Sequence, residues 1–265
     1  AKTTRGMLHI TLPAEEHFPL PFYLALEEVL ANHFSEECLF TWVVRPTVIF
    51  GRNQVMANEV NVPFCKANAI EMVRRKSGGG CVYADEGNIM ISYVTPTDGH
   101  SVEDIFARYL QRVVDALNAI LPPLPDGCQI RATGRNDIML GERKISGNAL
   151  YTTNAKRSAI VHGTLLHSTD IERMVNAITP STEKLMSKGV QSVRQRVVNL
   201  TEFVDISIPR LRRKLAERLC DKEMPLSPAL TEETKALMQE YLAPEWLNGK
   251  FGSSSEAAFP MNSNS

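Results

Sequence analysis

Two segments of the chain repeat apolar residues every three to four positions, which is the spacing of one helical face. The first covers 22–34, where Phe22, Leu26 and Val29 belong to the apolar face. The second covers 101–121, begins with Ser101-x-x-Asp104, which resembles a capping box, and stops at Pro122-Pro123. Shorter periodic segments predict further helices near 170–178, 208–219 and 231–242.

Runs of apolar, aromatic and β-branched residues predict strands. The longest run, 39–50, ends at Gly51, and we expect a single strand there. Shorter runs predict strands over 70–75, 89–94 and 161–167. Because these strands and helices do not alternate regularly, the pattern favours an α+β fold over a doubly wound parallel sheet.

A β-hairpin is expected over 137–146, because Gly141-Glu142 suits a two-residue type II′ turn. Side chains alternate faces along a strand, so Asp137 and Lys144 would lie on one face as diagonal neighbours. Such a pair is either an ordinary surface ion pair or an acid for Mg²⁺ beside an ammonium for phosphate. The expected register pairs Leu140 with Arg143, Met139 with Lys144 and Asp137 with Ser146.

Three consecutive glycines follow the strand that carries Arg74 and Arg75, in the sequence Ser77-Gly78-Gly79-Gly80. Backbone N–H groups that no side chain covers can form a concave nest for an anion, and arginines match phosphate or carboxylate. The alternative is a flexible loop between two strands. The run is neither GxGxxG nor GxxxxGK followed by Ser or Thr, which excludes the Rossmann and P-loop interpretations.

The composition is that of an ordinary globular protein, with 265 residues, 43% of them hydrophobic, and a net charge of −1. This balance excludes wholesale disorder and gives no general attraction to nucleic acid or to an anionic membrane. The five cysteines contain no CxxC pair, which excludes a zinc knuckle or thioredoxin-like motif and fits reduced thiols. With no run of 18 apolar residues, we expect a cytoplasmic protein, or a mitochondrial one if a transit peptide was removed.

Six segments, in order along the chain, resemble motifs of the lipoate–protein ligase A family, which carries the biotin/lipoate protein ligase catalytic domain. The stretch 74–83 resembles the family signature RRxSGGGxV, and 134–137 resembles its GRND motif. Each motif is short, but together the matches extend from about residue 8 to residue 249. The other segments are an opening helix at Phe22–Glu28, RKISGNA at Arg143–Ala149, HGTLL at His162–Leu166, and KGVQSVR followed by NLTE within Lys188–Glu202.

The resemblance implies a mixed β-sheet flanked by helices, the fold that biotin and lipoate ligases share and that is related to class II aminoacyl-tRNA synthetases. It also implies a two-step reaction that uses ATP, Mg²⁺ and lipoate. The lipoate carboxylate attacks the α-phosphate to give lipoyl-AMP, and a carrier lysine then takes the lipoyl group. The implied carriers are lipoyl domains of 2-oxo-acid dehydrogenase E2 subunits and the glycine cleavage H protein.

The same resemblance assigns roles to individual residues. Lys144 would be the catalytic residue that bridges carboxyl and phosphate oxygens, and Arg75 would hold the acyl or phosphate end. Asp137 would contact Mg²⁺, whereas Trp42 would line the lipoyl tunnel or simply pack in the core. The substrate and ATP site would further include Gly79, Gly80, Cys81, Val82, Tyr83, Asn88, Gly147, Ala149 and Thr164.

Other features leave alternatives open. We expect a catalytic domain over 1–251, a disordered tail over 252–265 and no C-terminal accessory domain, which in some members is a separate chain tied to the activation step. Ala84 stands where the signature usually has His. His162 is expected to orient a strand or ligand by hydrogen bonds rather than to act as a general base.

Two other functions compete with the ligase. One is a lipoyl or octanoyl transferase of the same fold that uses preformed acyl-nucleotide or acyl carrier protein. Its thioester version is disfavoured, because no cysteine lies in the GRND motif or in HGTLL. The other is a non-catalytic binding protein, against which the retention of Arg75, Asp137 and Lys144 argues.

Overall fold

A computed structural model of the chain describes residues 6–13, 17–155, 157–178 and 196–250. The KGVQSVR motif and the expected tail lie outside these residues. The described strands are β1 (Leu8–Thr11), β2 (Cys38–Trp42), β3 (Thr47–Phe50), β4 (Glu71–Arg74), β5 (Val82–Ala84), β6 (Asn88–Pro96), β7 (Ile130–Ala132), β8 (Asp137–Leu140), β9 (Arg143–Thr153), β10 (Ser158–Leu166) and β11 (Lys222–Pro225). The described helices are α1 (Leu20–His33), α2 (Met56–Glu59), α3 (Val62–Ala67), α4 (Val102–Ile120), α5 (Ile171–Ile178), α6 (Ile208–Leu219), α7 (Pro228–Leu242) and α8 (Pro244–Leu247), with a 3₁₀ turn at Leu200–Glu202.

Within the described ranges, eight strands form one large mixed sheet in the order β11-β1-β2-β6-β10-β9-β8-β7. β1 runs parallel to both of its neighbours, and the pairs from β2 through β7 are antiparallel. A second sheet has the order β4-β3-β5. The architecture confirms the expected α+β fold, a mixed sheet flanked by helices.

Helices cover both faces of the large sheet, so its central strands are buried on both sides. On β6, Ile91 packs into one core with α4 and α6, while its neighbour Met90 packs into the other core with α1 and α7. α4 keeps the predicted cap, since Ser101 Oγ accepts the Asp104 N–H at 3.0 Å. Full burial of a side chain such as Leu117 on this helix contributes about 1.5–3 kcal/mol. None of the described helices is both long and apolar enough to span a membrane.

The single strand predicted over 39–50 is wrong. The chain forms β2 in the large sheet, crosses, and forms β3 in the small sheet. Pro46 lies between the two strands; it cannot donate to a ladder and restricts the residue before it. The crossing brings Trp42 to the large sheet and brings Gly51, just after β3, to the glycine-rich loop.

The hairpin has the predicted turn but not the whole predicted register. Gly141 has a φ of +59°, as the first position of a type II′ turn requires. The pairs next to the turn are as predicted, but a β-bulge then places Ser146 opposite Ile138 and Gly147 opposite Asp137. The predicted Asp137–Ser146 pair is therefore wrong by one residue. The extra residue is Ile145, which is fully buried in the α4 core.

Candidate active site

The hairpin places Lys144 directly against Asp137. Lys144 Nζ lies 3.0 Å from Asp137 Oδ1, which confirms that the two side chains share a face. Gly147 leaves the room for this contact, because a Cβ there would lie 2.9 Å from Lys144 Nζ. The Gly147 N–H donates to Thr164 Oγ1 at 3.1 Å, which ties the hairpin to β10. Four of the residues expected in the site thus meet on one face of the large sheet.

The glycine-rich loop, Gly78–Gly80, is exposed between β4 and β5, and Arg75 lies buried beneath it. Arg75 Nη2 donates to the carbonyl oxygens of Gly78 and Gly80, both at 2.7 Å. Its Nε donates to Ser77 Oγ at 3.0 Å, and its Nη1 donates to Ile49 O at 3.2 Å. Burial lowers the pKa of Arg75 to about 10. The guanidinium therefore binds the chain's own oxygens and sets the shape of the loop.

This shape turns backbone N–H groups outward. In a trans peptide the C=O and N–H point in opposite directions, so carbonyls aimed at Arg75 leave the N–H groups of Gly79 and Cys81 on the open side. Neither group donates to an acceptor among the described residues. Gly51 allows the loop to lie close to the end of β3, since a Cβ at position 51 would lie 2.3 Å from Gly79 O. The loop has the form of an anion nest.

The four residues that lead into the loop, 74–77, form what we term the RRKS junction, and each contacts a different element. Arg74 Nε donates to Trp246 O on α8 at 2.9 Å, and its Nη1 donates to the carbonyls of Arg52 and Gln54, both at 2.7 Å. Lys76 Nζ lies 2.8 Å from Glu28 on α1 and 3.1 Å from Glu240 on α7. Ser77 Oγ lies 2.6 Å from His162 Nε2 on β10. The base of the loop is therefore anchored to α1, α7, α8 and β10.

A second set of polar groups lies entirely inside the protein, and we term it the Glu27 network: Trp42, Ser92, Glu27, His162 and Ser77. Trp42 stacks on Tyr23 with ring centroids 4.5 Å apart, and its Nε1 donates to Ser92 Oγ at 2.9 Å. Ser92 Oγ donates to Glu27 Oε1 at 2.6 Å, and His162 Nδ1 lies 3.0 Å from Glu27 Oε2. Glu27 is 0% exposed. Glu27 is not among the residues expected in the site, although an acid among the apolar residues of α1 marks the position in the sequence.

The other expected site residues lie around the loop. Cys81 and Val82 are half-buried, and burial raises the pKa of the Cys81 thiol to about 12. Tyr83 is buried, and its hydroxyl has no partner among the described residues. Asn88 is also buried; its amide donates to Tyr83 O at 3.3 Å and its Oδ1 accepts the Leu165 N–H at 3.1 Å. Ala149 on β9 lies opposite His162. Ala84, in the position of the usual histidine, is packed in the α1 core.

The loop and the lysine pair converge over β10. His162 holds the loop through Ser77, and Thr164 holds the hairpin through Gly147. Residues two apart on a strand share a face and lie about 7 Å from each other. The base of the loop and the lysine hairpin are therefore anchored to neighbouring residues on one face of β10, an arrangement that suits a ligand with a phosphate next to a carboxylate.

Comparison with known proteins identifies the family of the chain. Residues 19–220 match the model of the lipoyl protein ligase A/B catalytic domain, and the chain belongs to this family. Lipoate–protein ligase 1 of Staphylococcus aureus is 41% identical over 184 residues, which are 69% of this chain and 53% of that protein. The chain thus spans about half the length of such curated relatives.

Two solved structures have the same fold. A bi-partite lipoate protein ligase from Thermoplasma acidophilum, described with its E2 lipoyl domain, has a TM-score of 0.80 and 28% identity, covering 94% of this chain and 98% of that chain. A lipoate-protein ligase A bound with ATP has a TM-score of 0.74 and 27% identity, covering 93% and 100%. Both likenesses extend over nearly the whole of this chain.

Proposed function

We propose that this chain activates lipoate with ATP to form lipoyl-AMP and transfers the lipoyl group to a lysine of a carrier domain. One observation carries the proposal: the base of the glycine-rich loop and the hairpin that bears Lys144 are held by two neighbouring residues of β10, His162 and Thr164. The nature of the relatives supports it, because the Staphylococcus aureus relative is a lipoate–protein ligase and one structural relative is a ligase bound with ATP.

Each group has a defined task in this chemistry. In the first step a lipoate carboxylate oxygen attacks the α-phosphorus, and pyrophosphate leaves. In the second step the carrier lysine amine attacks the acyl carbon, loses a proton, and AMP leaves. Lys144 Nζ neutralises charge on the oxygens shared by both steps, while the N–H groups of Gly79 and Cys81 bind phosphate oxygens. Arg75 acts at the acyl or phosphate end by shaping this nest.

The remaining ligands follow from the same geometry. A magnesium ion held mainly by phosphate oxygens needs only one or two carboxylates, and Asp137 is the carboxylate available beside Lys144. No group of three metal-binding side chains occurs among the residues that the structure describes, which fits an ion that arrives with the nucleotide. When bound, the ion would neutralise phosphate charge. Trp42 would form part of the apolar wall for the lipoyl chain.

Partners and location belong to the same proposal. Lipoyl domains of E2 subunits are the expected carriers, with the glycine cleavage H protein as a second carrier and a separate accessory chain as an aid to activation. The Thermoplasma acidophilum relative, described with an E2 lipoyl domain, supports the first of these. The five free thiols support a reducing compartment, which is the cytoplasm or, if a transit peptide was removed, the mitochondrion.

The test is pyrophosphate release by the purified chain with lipoate, ATP and Mg²⁺, without a carrier. Adenylate formation would establish an activating ligase. If none forms, synthetic lipoyl-AMP and a lipoyl domain are supplied, and transfer would then define a lipoyltransferase or a ligase that needs a separate chain. Failure of both reactions would refute the proposal.

A matched pair of variants tests the assignment of Lys144. Lys144→Ala should abolish acyl transfer with the fold intact. Lys222→Ala is the control. Lys222 is also paired with a carboxylate, that of Glu36, but it lies on β11 at the edge of the large sheet, away from the site. Equal activity of the two variants would refute the catalytic role assigned to Lys144.

A further inference from the structure

The Glu27 network joins the wall around Trp42 to the glycine-rich loop, and the chemistry proposed above uses none of its central members. Glu27, His162 and Ser77 come from α1, β10 and the RRKS junction, which lie far apart in the sequence. All three are buried, and Glu27 and Ser77 are 0% exposed. A buried carboxylate is costly unless its oxygens are paired, so this arrangement calls for a physical reason.

The hydrogen bonds fix a direction through the network. A carboxylate only accepts, so His162 donates from Nδ1 to Glu27, and its Nε2 is free to accept the Ser77 hydroxyl. Ser77 Oγ in turn accepts from Arg75 Nε. The polar hydrogens of Trp42, Ser92, His162 and Ser77 then each have an acceptor. The cation of Arg75 stands at one end of this series and the anion of Glu27 at the other.

A serine, a histidine and an acid in this order have the connectivity of a nucleophilic triad, but the surroundings exclude that use. Ser77 Oγ is fully buried and already accepts from Arg75 Nε at 3.0 Å. A nucleophile needs an open approach to its oxygen, and Ser77 has none. The geometry is that of a support for Arg75.

We propose that Glu27 and His162 are positioning residues for the glycine-rich loop. They hold Ser77, Ser77 holds Arg75 Nε, and Arg75 Nη2 orients the carbonyls of Gly78 and Gly80. The outward direction of the loop N–H groups is thereby set from a residue on α1 that touches no ligand. The identity of the bound anion, the ATP phosphates, rests on the proposed function, whereas the ordering of the loop does not.

The test compares Glu27→Gln and Ser77→Ala with a matched control, Ser158→Ala. Glutamine keeps the size of Glu27 but replaces one acceptor by a donor, which breaks the order of hydrogen bonds. Ser158 is also a buried serine on β10, but its hydroxyl contacts Asn154 and the Ala31 carbonyl, away from the loop. The wild type and the three variants are studied as full chains, well below the unfolding temperature of the least stable.

Two readouts are used. With ¹⁵N-glycine labelling, the ligand-free order parameters of Gly78–Gly80 should fall from about 0.85 to below about 0.6 in Glu27→Gln and Ser77→Ala, but not in the control. The dissociation constant for ATP should rise about tenfold in the same two variants. A general loss of stability would move the control as well.

The outcomes separate the two proposals. Unchanged loop order in both variants, or an Nε2–H tautomer of His162 in the wild-type ¹⁵N spectrum, would overturn the positioning role. If the two variants lose loop order but the wild type itself does not bind ATP, the positioning role is supported and the proposed function is contradicted.

Discussion

Gly147→Ala should separate activity from stability, because the methyl group would enter the space that Lys144 occupies. The new Cβ would lie 2.9 Å from both Cε and Nζ of Lys144, whereas ordinary contacts begin at 3.4 Å, so the ammonium must retreat by at least half an ångström. The far end of a lysine moves easily. Misplacement of a catalytic group on this scale can reduce a rate by about 100-fold.

The same substitution should leave the free energy of unfolding almost unchanged. Alanine gains about 0.5–1 kcal/mol over glycine within a strand, and Gly147 has no positive φ that would oppose it. A partly exposed pair such as Lys144–Asp137 contributes at most about 1 kcal/mol, so the two effects offset each other.

The assay is the rate of acyl transfer from preformed lipoyl-AMP to a lipoyl domain, together with urea unfolding of the same preparation. Gly134→Ala is the matched control, since a Cβ there meets nothing within 4 Å and the position has no positive φ. Wild-type transfer by Gly147→Ala would refute the reasoning. A loss of stability well above 1 kcal/mol would refute it too, because the clash would then involve more than the end of a lysine.

Three further substitutions test other parts of the site. Gly51→Ala should lower both the unfolding temperature and the affinity for ATP, because its Cβ would lie 2.3 Å from Gly79 O; unchanged ATP titrations would contradict this. Cys81→Ser should retain acyl transfer, and Cys81 should react slowly with iodoacetamide at pH 8.5, because a pKa raised to about 12 leaves little thiolate below that pH; a trapped acyl-enzyme would disprove it. Arg74→Lys should lower the unfolding free energy by about 2–3 kcal/mol in urea titrations, because an ammonium cannot bind the carbonyls on both sides of Arg74; a loss below about 1 kcal/mol would speak against this role.

Local pattern predicted the long helices and part of the site. The periodic segments 22–34 and 101–121 correspond to α1 and α4. α4 buries one face, whereas α1 is buried on nearly every side between the sheet and α7. The alternation of side chains in the hairpin placed Asp137 and Lys144 together, since a tight turn fixes which residues are neighbours.

Other features could not be predicted from spacing alone. The division of 39–50 into β2 and β3 depends on Pro46. The apolar residues on either side of Pro46 predict a strand more strongly than one proline predicts a break. The bulge at Ile145 carries no distinctive residue. The contact between Glu27 and His162 joins positions 135 residues apart, so only the packing of α1 against β10 brings them together.

The RRKS junction also determines how an anion experiences this part of the surface. Three cations in a row would ordinarily project a positive field into solvent, but here the two arginines are buried against backbone carbonyls, and Lys76 is paired with the carboxylates of Glu28 and Glu240. Attraction at the loop itself then comes from peptide dipoles, which act only at contact, while Lys144 contributes a charge that Asp137 partly offsets. Binding of ATP should therefore depend less on ionic strength than binding to a cluster of exposed arginines, and its association rate should show little electrostatic steering.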